Sequence, residues 1–274
     1  MINHLQDKVT LNNGIKIPGF GLGVFKVEAG ATTYDTVRTA LKLGYRLIDT
    51  AAIYGNEEAV GKAIHDSGIP REEIFVTSKV WNDDQGYEET LAAFDTTMEK
   101  LGLEYLDLYL IHWPITGKFK DTWRALEKIY RDGKVRSIGV SNFHVHHLEE
   151  LLKDAEVKPV LNQIEYHPHL TQEDVLQFCK ENAIQMQSWS PLKRGEIITE
   201  PVIKEIADKH DKTPAQIVLR WNLQNGVITI PKSVKEHRMQ ENADIFNFEL
   251  TEDEMEKLND LNKNERIGSN PDDF

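Results

Sequence analysis

The sequence predicts an α/β fold, a (β/α)₈ TIM barrel with an N-terminal β-hairpin capping the barrel floor. Three observations predict it. Short β-branched runs alternate with longer stretches of helical period, and the alternation repeats eight times between residues 19 and 233. Several runs are almost continuously apolar, as strands covered on both faces must be. No Pro/Gly/Ser-rich linker divides the 274 residues, so 1–274 is expected to form a single domain. Strand–helix repetition of this length favours a parallel barrel over an open sheet.

The elements follow in order. Within residues 8–18, VTL and IKIP flank an Asn-Gly, a hairpin signal outside the alternation and the expected plug for the floor. The strand runs are GFGLGVF (19–25), YRLIDTA (45–51), IFVTSKV (74–80) and LDLYLIHW (106–113). They continue with VRSIGVSN (135–142), PVLNQIEYH (159–167), AIQMQSWS (183–190) and VITIPKS (227–233). Between them, TYDTVRTALKLG puts Val37, Ala40, Leu41 and Leu43 on one helical face, and EETLAAFDTTMEKLG does the same with Leu91, Phe94, Met98 and Leu101. Gly44, Gly68, Gly102 and Gly133 stand where helices close. The tail KNERIGSNPDDF is short and polar.

Composition narrows the function classes. Hydrophobic residues at 40% and charged residues at 28% are ordinary for a folded chain. A net charge of −13 argues against a nucleic-acid partner, which needs a basic face. An anionic cofactor then requires a local cationic pocket. The one cysteine, Cys179, sits in the helical stretch EDVLQFCKEN and reads as a buried apolar residue. The N-terminus has no signal-peptide pattern and no window approaches a membrane span, so a cytoplasmic protein is expected.

Catalytic residues of such a barrel lie at the C-terminal ends of its strands. There the second run ends in Asp49 with Tyr54 just beyond, the third in Lys79, and the fourth in His112 and Trp113. The later runs end in Ser141-Asn142, Gln163 to His167, Trp189-Ser190 and Lys232-Ser233. A lysine cation beside a tyrosine hydroxyl favours the phenolate and lowers the tyrosine pKa, which suits a general acid near neutrality. His112 can orient a carbonyl oxygen or share its proton. Asp49, Tyr54, Lys79 and His112 therefore form a coherent carbonyl-polarising set.

Other features read as structural. Ser141-Asn142 can cap the helix of FHVHHLEEL. The spacing of His144, His146 and His147 does not put three ligands on one helical face, and His167 and His169 flank Pro168 in a loop, so no metal is expected. Gly19, Gly21 and Gly23 form G-x-G-x-G without a Rossmann context and read as tight barrel backbone.

The sequence resembles the aldo-keto reductase superfamily, and within it the small bacterial glyoxal, methylglyoxal and keto-sugar reductases of the 2,5-diketo-gluconate type. GYRLIDTAAIYGNEEAVGKAI (44–64), LDLYLIHWP (106–114) and ITIPKSVKEHRMQEN (228–242) resemble its three signatures, with TSKVW and GVSNF in order between them. The resemblance implies an NADPH-dependent oxidoreductase in which Tyr54 protonates the carbonyl oxygen and Lys79, held by Asp49, tunes it. It implies that Ser141, Asn142 and Gln163 hold the nicotinamide carboxamide and that Trp189 stacks on the ring. Lys232, Ser233 and Arg238 would meet the 2′-phosphate and Asn242 the adenine, with Gly23, Val24, Asp49, Ser190, Leu192 and Val234 completing the cofactor contacts. Glu241 stands where many members carry Gln; a carboxylate there can accept ribose hydroxyls and permit NADH as the weaker cofactor. Phe25, Tyr54, Trp81, His112 and Trp113 would line a substrate pocket left open by short loops, on a monomer. The second reading is an NADPH-binding redox-sensing or regulatory subunit with little turnover; a metal-dependent barrel hydrolase is a third.

Overall fold

The computed structural model describes residues 2–274. A hairpin of β1 (Lys8–Thr10) and β2 (Lys16–Pro18) precedes eight parallel strands: β3 (Leu22–Gly23), β4 (Leu47–Asp49), β5 (Phe75–Val80), β6 (Leu108–Ile111), β7 (Ile138–Ser141), β8 (Leu161–Glu165), β9 (Gln185–Trp189) and β10 (Ile228–Thr229). Each lies inside one of the eight runs read from the sequence. The helices are α1 (Ala31–Lys42), α2 (Glu57–His65), α3 (Tyr87–Leu101), α4 (Phe119–Arg131), α5 (Val145–Leu152), α6 (Glu173–Glu181), α7 (Pro201–His210), α8 (Pro214–Gln224), α9 (Glu236–Ala243) and α10 (Glu252–Asn259). The repeat has two additions, α7 and α10, which pack on each other.

The strands follow chain order from β3 to β10. A parallel bridge between Phe20 and Thr229 brings the two outer strands together, with the Gly21 N–H donating to the Thr229 carbonyl at 3.0 Å. The glycines there have steric reasons. A Cβ on Gly21 would lie 2.5 Å from the Leu47 side chain, and one on Gly23 2.9 Å from the Ile230 carbonyl oxygen.

The pleat sorts side chains by parity. Leu47, Phe75, Leu108, Leu110, Leu161 and Ile228 form one buried cluster with Leu11 and Ile17 of the hairpin. Ile48, Val76, Tyr109, Ile111 and Ile138 join the larger cluster shared with helical residues such as Val37, Ala40 and Leu126. The first set fills the barrel and the second packs under the helices. Asp49 shares the parity of Leu47, and Lys79 that of Phe75, so both project from the inner row. Beneath them the hairpin closes the floor, as expected. Asn12 Nδ2 donates to the Pro159 and Ala183 carbonyls (2.9 and 3.1 Å), and Asn13 Nδ2 to the Arg136 carbonyl (3.1 Å).

Two helical faces differ from the periodic reading. On α3 the buried residues are Thr90, Phe94, Thr97 and Leu101, with Leu91 and Met98 only half-buried. The small threonines suit a close approach: α2 meets α3 at Gly61, where a Cβ would sit 1.8 Å from the Leu101 carbonyl oxygen. On α1, Val37, Ala40 and Leu41 are buried while Leu43 is half-buried. The helix-closing glycines 44, 68, 102 and 133 take φ of 96°, 72°, 61° and 73°, which other residues rarely adopt. Cys179 is buried, and burial pushes its thiol up to about 12. Among the described residues, no helix is long and apolar enough to cross a membrane.

Candidate active site

Strand ends bring Asp49, Tyr54, Lys79 and His112 to one rim. Asp49 is the last residue of β4, Lys79 the fifth of β5, and His112 follows β6 directly. Tyr54 ends a 3₁₀ turn after β4, fixed by Thr50, whose hydroxyl donates to Asn56 Oδ1 at 2.7 Å. Lys79 is fully buried. Its Nζ donates to Asp49 Oδ1 (2.6 Å), the Thr50 carbonyl (2.9 Å) and the Tyr54 hydroxyl (3.4 Å), using all three ammonium donors. Gln163 Nε2 donates to the other Asp49 oxygen at 2.7 Å and to Gln187 Oε1 at 2.7 Å.

The electrostatics follow from this crowding. Burial alone would lower the Lys79 pKa, but the facing Asp49 carboxylate and Tyr54 hydroxyl outweigh it and hold the ammonium above the usual lysine range. For Tyr54 burial is the largest influence and raises the pKa; Lys79 opposes it without cancelling it. The expectation that Lys79 brings the tyrosine down therefore holds only as a partial offset, and the resting hydroxyl carries its proton. His112 is driven well below the usual histidine value by burial and then by Lys79, so it is a neutral imidazole. Its Nδ1 is buried without a hydrogen-bond partner.

Aromatic rings wall the mouth. Tyr54 stands against Phe25 (centroids 5.0 Å apart) and His112 (5.9 Å), and Trp81 meets His112 edge-on at 5.2 Å. The pocket is less open than the short loops imply. The segment 263–274 crosses the rim: the Ile267 and Gly268 N–H groups donate to the Glu165 carboxylate (2.8 and 3.0 Å), and Phe274 stacks on Trp113 at 4.5 Å. Burial would raise Glu165, but His167 and these two amides outweigh it and hold the carboxyl low. Nothing periodic in the polar tail signals this docking.

A second set of predicted residues lines the ends of β7 to β9. Ser141 Oγ donates to the Gln163 carbonyl at 2.8 Å. Asn142, at φ 63°, spends its amide on the His112 carbonyl (2.9 Å) and on the indole Nε1–H of Trp189, which it accepts at 2.8 Å. Neither Ser141 nor Asn142 caps α5: the residue before that helix is His144, whose N–H donates to His147 Nδ1 at 3.1 Å. Gly268 presses on the far edge of the indole, where a Cβ would lie 2.4 Å from Trp189. Ser190, at φ 50°, and half-buried Leu192 continue this rim.

The third set surrounds the start of α9. Ser233 Oγ accepts the Lys235 N–H at 3.1 Å and turns the chain into the helix. Lys232, Val234, Lys235 and Arg238 are exposed, and among the described residues none of the three cations forms a salt bridge. Lys235 is an addition to the sequence reading. Asn242 is buried on α9. Glu241 is less available than the sequence suggests, because its Oε1 accepts the Thr213 hydroxyl at 2.8 Å. Gly23 and Val24 lie directly across the closing seam, Gly23 against the Ile230 carbonyl; Val24 donates its N–H to the Asp49 carbonyl (3.0 Å) and its own carbonyl accepts from Asn56 Nδ2 (3.0 Å).

One grouping departs from the sequence reading. His144, His146 and His147 do converge, and Asp272 joins them. His144 precedes the helix, so its side chain need not obey helical spacing.

The same architecture and motifs recur in known proteins. The aldo/keto reductase family model matches residues 19–263. The chain is 62% identical over 274 residues to the glyoxal reductase of Bacillus subtilis (strain 168), covering 100% of this chain and 99% of that protein. It is 42% identical over 270 residues to the methylglyoxal reductase DkgA of Escherichia coli (strain K12), covering 97% of each. A related mutant enzyme solved in complex with NADPH superposes with a TM-score of 0.93 at 44% identity, covering 97% of this chain and 98% of that one. An aldo-keto reductase of Bombyx mori in complex with NADP gives a TM-score of 0.92 at 35% identity, covering 99% and 97%. Barrel, strand-end constellation and full-length likeness agree, and the chain belongs to the aldo/keto reductase family.

Proposed function

We propose that this protein reduces aldehydes and ketones, small ketoaldehydes such as methylglyoxal or keto-sugars among them, to alcohols with NADPH. One observation carries the reading: the buried Lys79 ammonium lies between Asp49 and the Tyr54 hydroxyl, beside a His112 ring whose Nδ1 has no partner. The residues fit the cofactor. Lys232, Lys235 and Arg238 are exposed cations without salt bridges at the start of α9, where helix N–H groups favour a phosphate. The indole of Trp189 is fixed on one edge by Asn142 and on the other by Gly268. NADPH, when bound, supplies the hydride for the carbonyl carbon.

The side chains do the rest. Tyr54 holds a proton and points it at a carbonyl oxygen seated between it and neutral His112. As negative charge develops on that oxygen, the proton passes from the Tyr54 hydroxyl. The phenolate left behind faces the Lys79 cation, which stabilises it at the moment it forms. Asp49 keeps Lys79 charged and in place. His112, being neutral, can orient the carbonyl without competing as an acid. Half-buried Trp81 and Trp113, with the exposed ring of Phe25 at the mouth, give the reacting bond an apolar wall.

NADPH oxidation followed by absorbance, with methylglyoxal, glyoxal and a keto-sugar as substrates, tests the reading. Turnover of at least one carbonyl, lost in Tyr54→Phe, supports it. Tight NADPH binding with no turnover on a broad aldehyde panel overturns it and favours a regulatory role.

A further inference from the structure

Outside the barrel mouth, four side chains close around one point. His144 precedes α5, His146 and His147 lie in its first turn, and Asp272 comes from the segment that crosses the rim. One nitrogen or oxygen from each lies within 4.8 Å of all the others. Asp272 Oδ1 marks the centre, at 2.9 Å from His144 Nδ1, 3.1 Å from His146 Nε2 and 3.7 Å from His147 Nε2. Three imidazoles around a single carboxylate oxygen are more than a hydrogen-bonding need explains. The set is three nitrogens and one carboxylate, which is the tetrahedral donor chemistry of a borderline divalent ion.

We propose that His144, His146, His147 and Asp272 form a binding site for a divalent transition-metal cation of the Zn²⁺ type, separate from the carbonyl-reducing centre. Burial holds the His144 and His147 rings below the usual histidine range, so lone pairs are available near neutrality. His146 and Asp272 are exposed and give an ion a way in. Ligand bonds of ~2.0–2.2 Å set tetrahedral donors roughly 3.3–3.6 Å apart, so Asp272 Oδ1 must draw back from His144 Nδ1 and His146 Nε2 while His147 Nε2 comes slightly nearer. Seating the ion exchanges the His144–Asp272 hydrogen bond for metal bonds. Each metal-side nitrogen loses its proton, to the outer nitrogen of the same ring or to water. His144 Nε2 now accepts from Arg266 Nη2 at 2.9 Å; a proton there displaces Arg266, which keeps Gln172 Oε1 at 3.2 Å. His147 Nδ1 gives up the His144 N–H in the same way.

The site joins α5 to the 263–274 segment. Phe274, two residues beyond Asp272, stacks on Trp113 at the substrate mouth. An ion held here fastens that segment over the pocket.

The test uses the full chain, stripped with a chelator and then titrated with Zn²⁺ by calorimetry and with Co²⁺ by visible absorption. Saturation at one equivalent and the intense colour of tetrahedral cobalt are expected. His146→Ala and Asp272→Asn, both at exposed positions, should each weaken binding more than the ~10–100-fold typical of losing an outer-sphere partner. Their circular dichroism and unfolding temperature without metal should match the parent. Zn²⁺ should raise the unfolding temperature of the parent and not of the variants. No saturable binding by the parent, or equal binding by parent and variants, overturns the proposal.

Discussion

Lys79 Nζ lies 2.6 Å from Asp49 Oδ1 and 3.4 Å from the Tyr54 hydroxyl, so at rest the ammonium belongs to the carboxylate and only leans toward the phenol. That asymmetry suits a site whose charge moves. The Tyr54 contact is the one that can strengthen when a proton leaves.

Tyr54→Phe should therefore keep NADPH affinity and lose most reduction. A positioned proton donor contributes about 10²–10⁴-fold. Fluorescence titration of the cofactor and steady-state rates separate the two effects. Retained turnover would refute the role given to Tyr54.

Asp49→Asn leaves the Lys79 ammonium buried without its counter-charge. Breaking a buried pair on one side typically costs about 3–5 kcal/mol. Urea unfolding of the variant should show a loss of that order, together with slower turnover. Unfolding at the parental midpoint would show the pair to be energetically idle.

Lys232→Ala and Arg238→Ala should weaken NADPH at least tenfold and leave NADH nearly unchanged. A hydrogen bond to a charged group is worth about 1.5–3 kcal/mol, enough for that factor. Equal losses for both cofactors would argue against a 2′-phosphate site at the start of α9. The engagement of Glu241 by Thr213 points the same way, toward NADPH.

Gly268→Ala should disturb Trp189, because the added carbon would lie 2.4 Å from the indole. Overpacking of this kind costs about 1–3 kcal/mol. The indole cannot simply turn, since Asn142 holds its other edge. The expected readouts are a raised KM for NADPH and shifted tryptophan fluorescence. A variant with parental values of both would remove Gly268 from the site.

His112 sets an acid limit on stability. Its folded pKa lies well below 6.5, the ordinary value, through burial and then Lys79. The stability it contributes is present above about pH 6.5 and is lost as the pH falls toward the depressed folded value, because the unfolded chain takes up a proton that the native ring refuses. The unfolding temperature of the parent should decline through this window, and more steeply than that of His112→Asn. Identical slopes would mean that His112 is not held neutral.

The parts of the molecule that repeat were legible in the sequence. Eight strands could be read because short β-branched runs, several of them almost continuously apolar, recur between helical stretches, and Asp49 and Lys79 could be placed because they stand at the ends of two such runs. Thr90 and Thr97 were not read as core, since a hydroxyl residue is buried on α3 for closeness of approach, not for hydrophobicity. The tie between Glu241 and Thr213 and the stack of Phe274 on Trp113 are contacts between segments distant in sequence. No periodicity encodes them. For the same reason the convergence of three histidines with Asp272 was invisible: 125 residues separate Asp272 from the nearest of them in sequence, His147.

The join between Phe20 and Thr229 is the barrel's thinnest stave, a single bridge where β5 and β6 share a ladder of four paired residues. Breathing of the cylinder should begin there. The proposed phosphate cations follow β10 on one bank of that seam, while Asp49 ends β4 and Tyr54 follows it near the other. A cofactor reaching from one to the other would act as a hoop around the barrel. Amide exchange at Gly21 and Thr229 should then outpace exchange in β5 and β6 in the free protein, and slow selectively once NADPH is added.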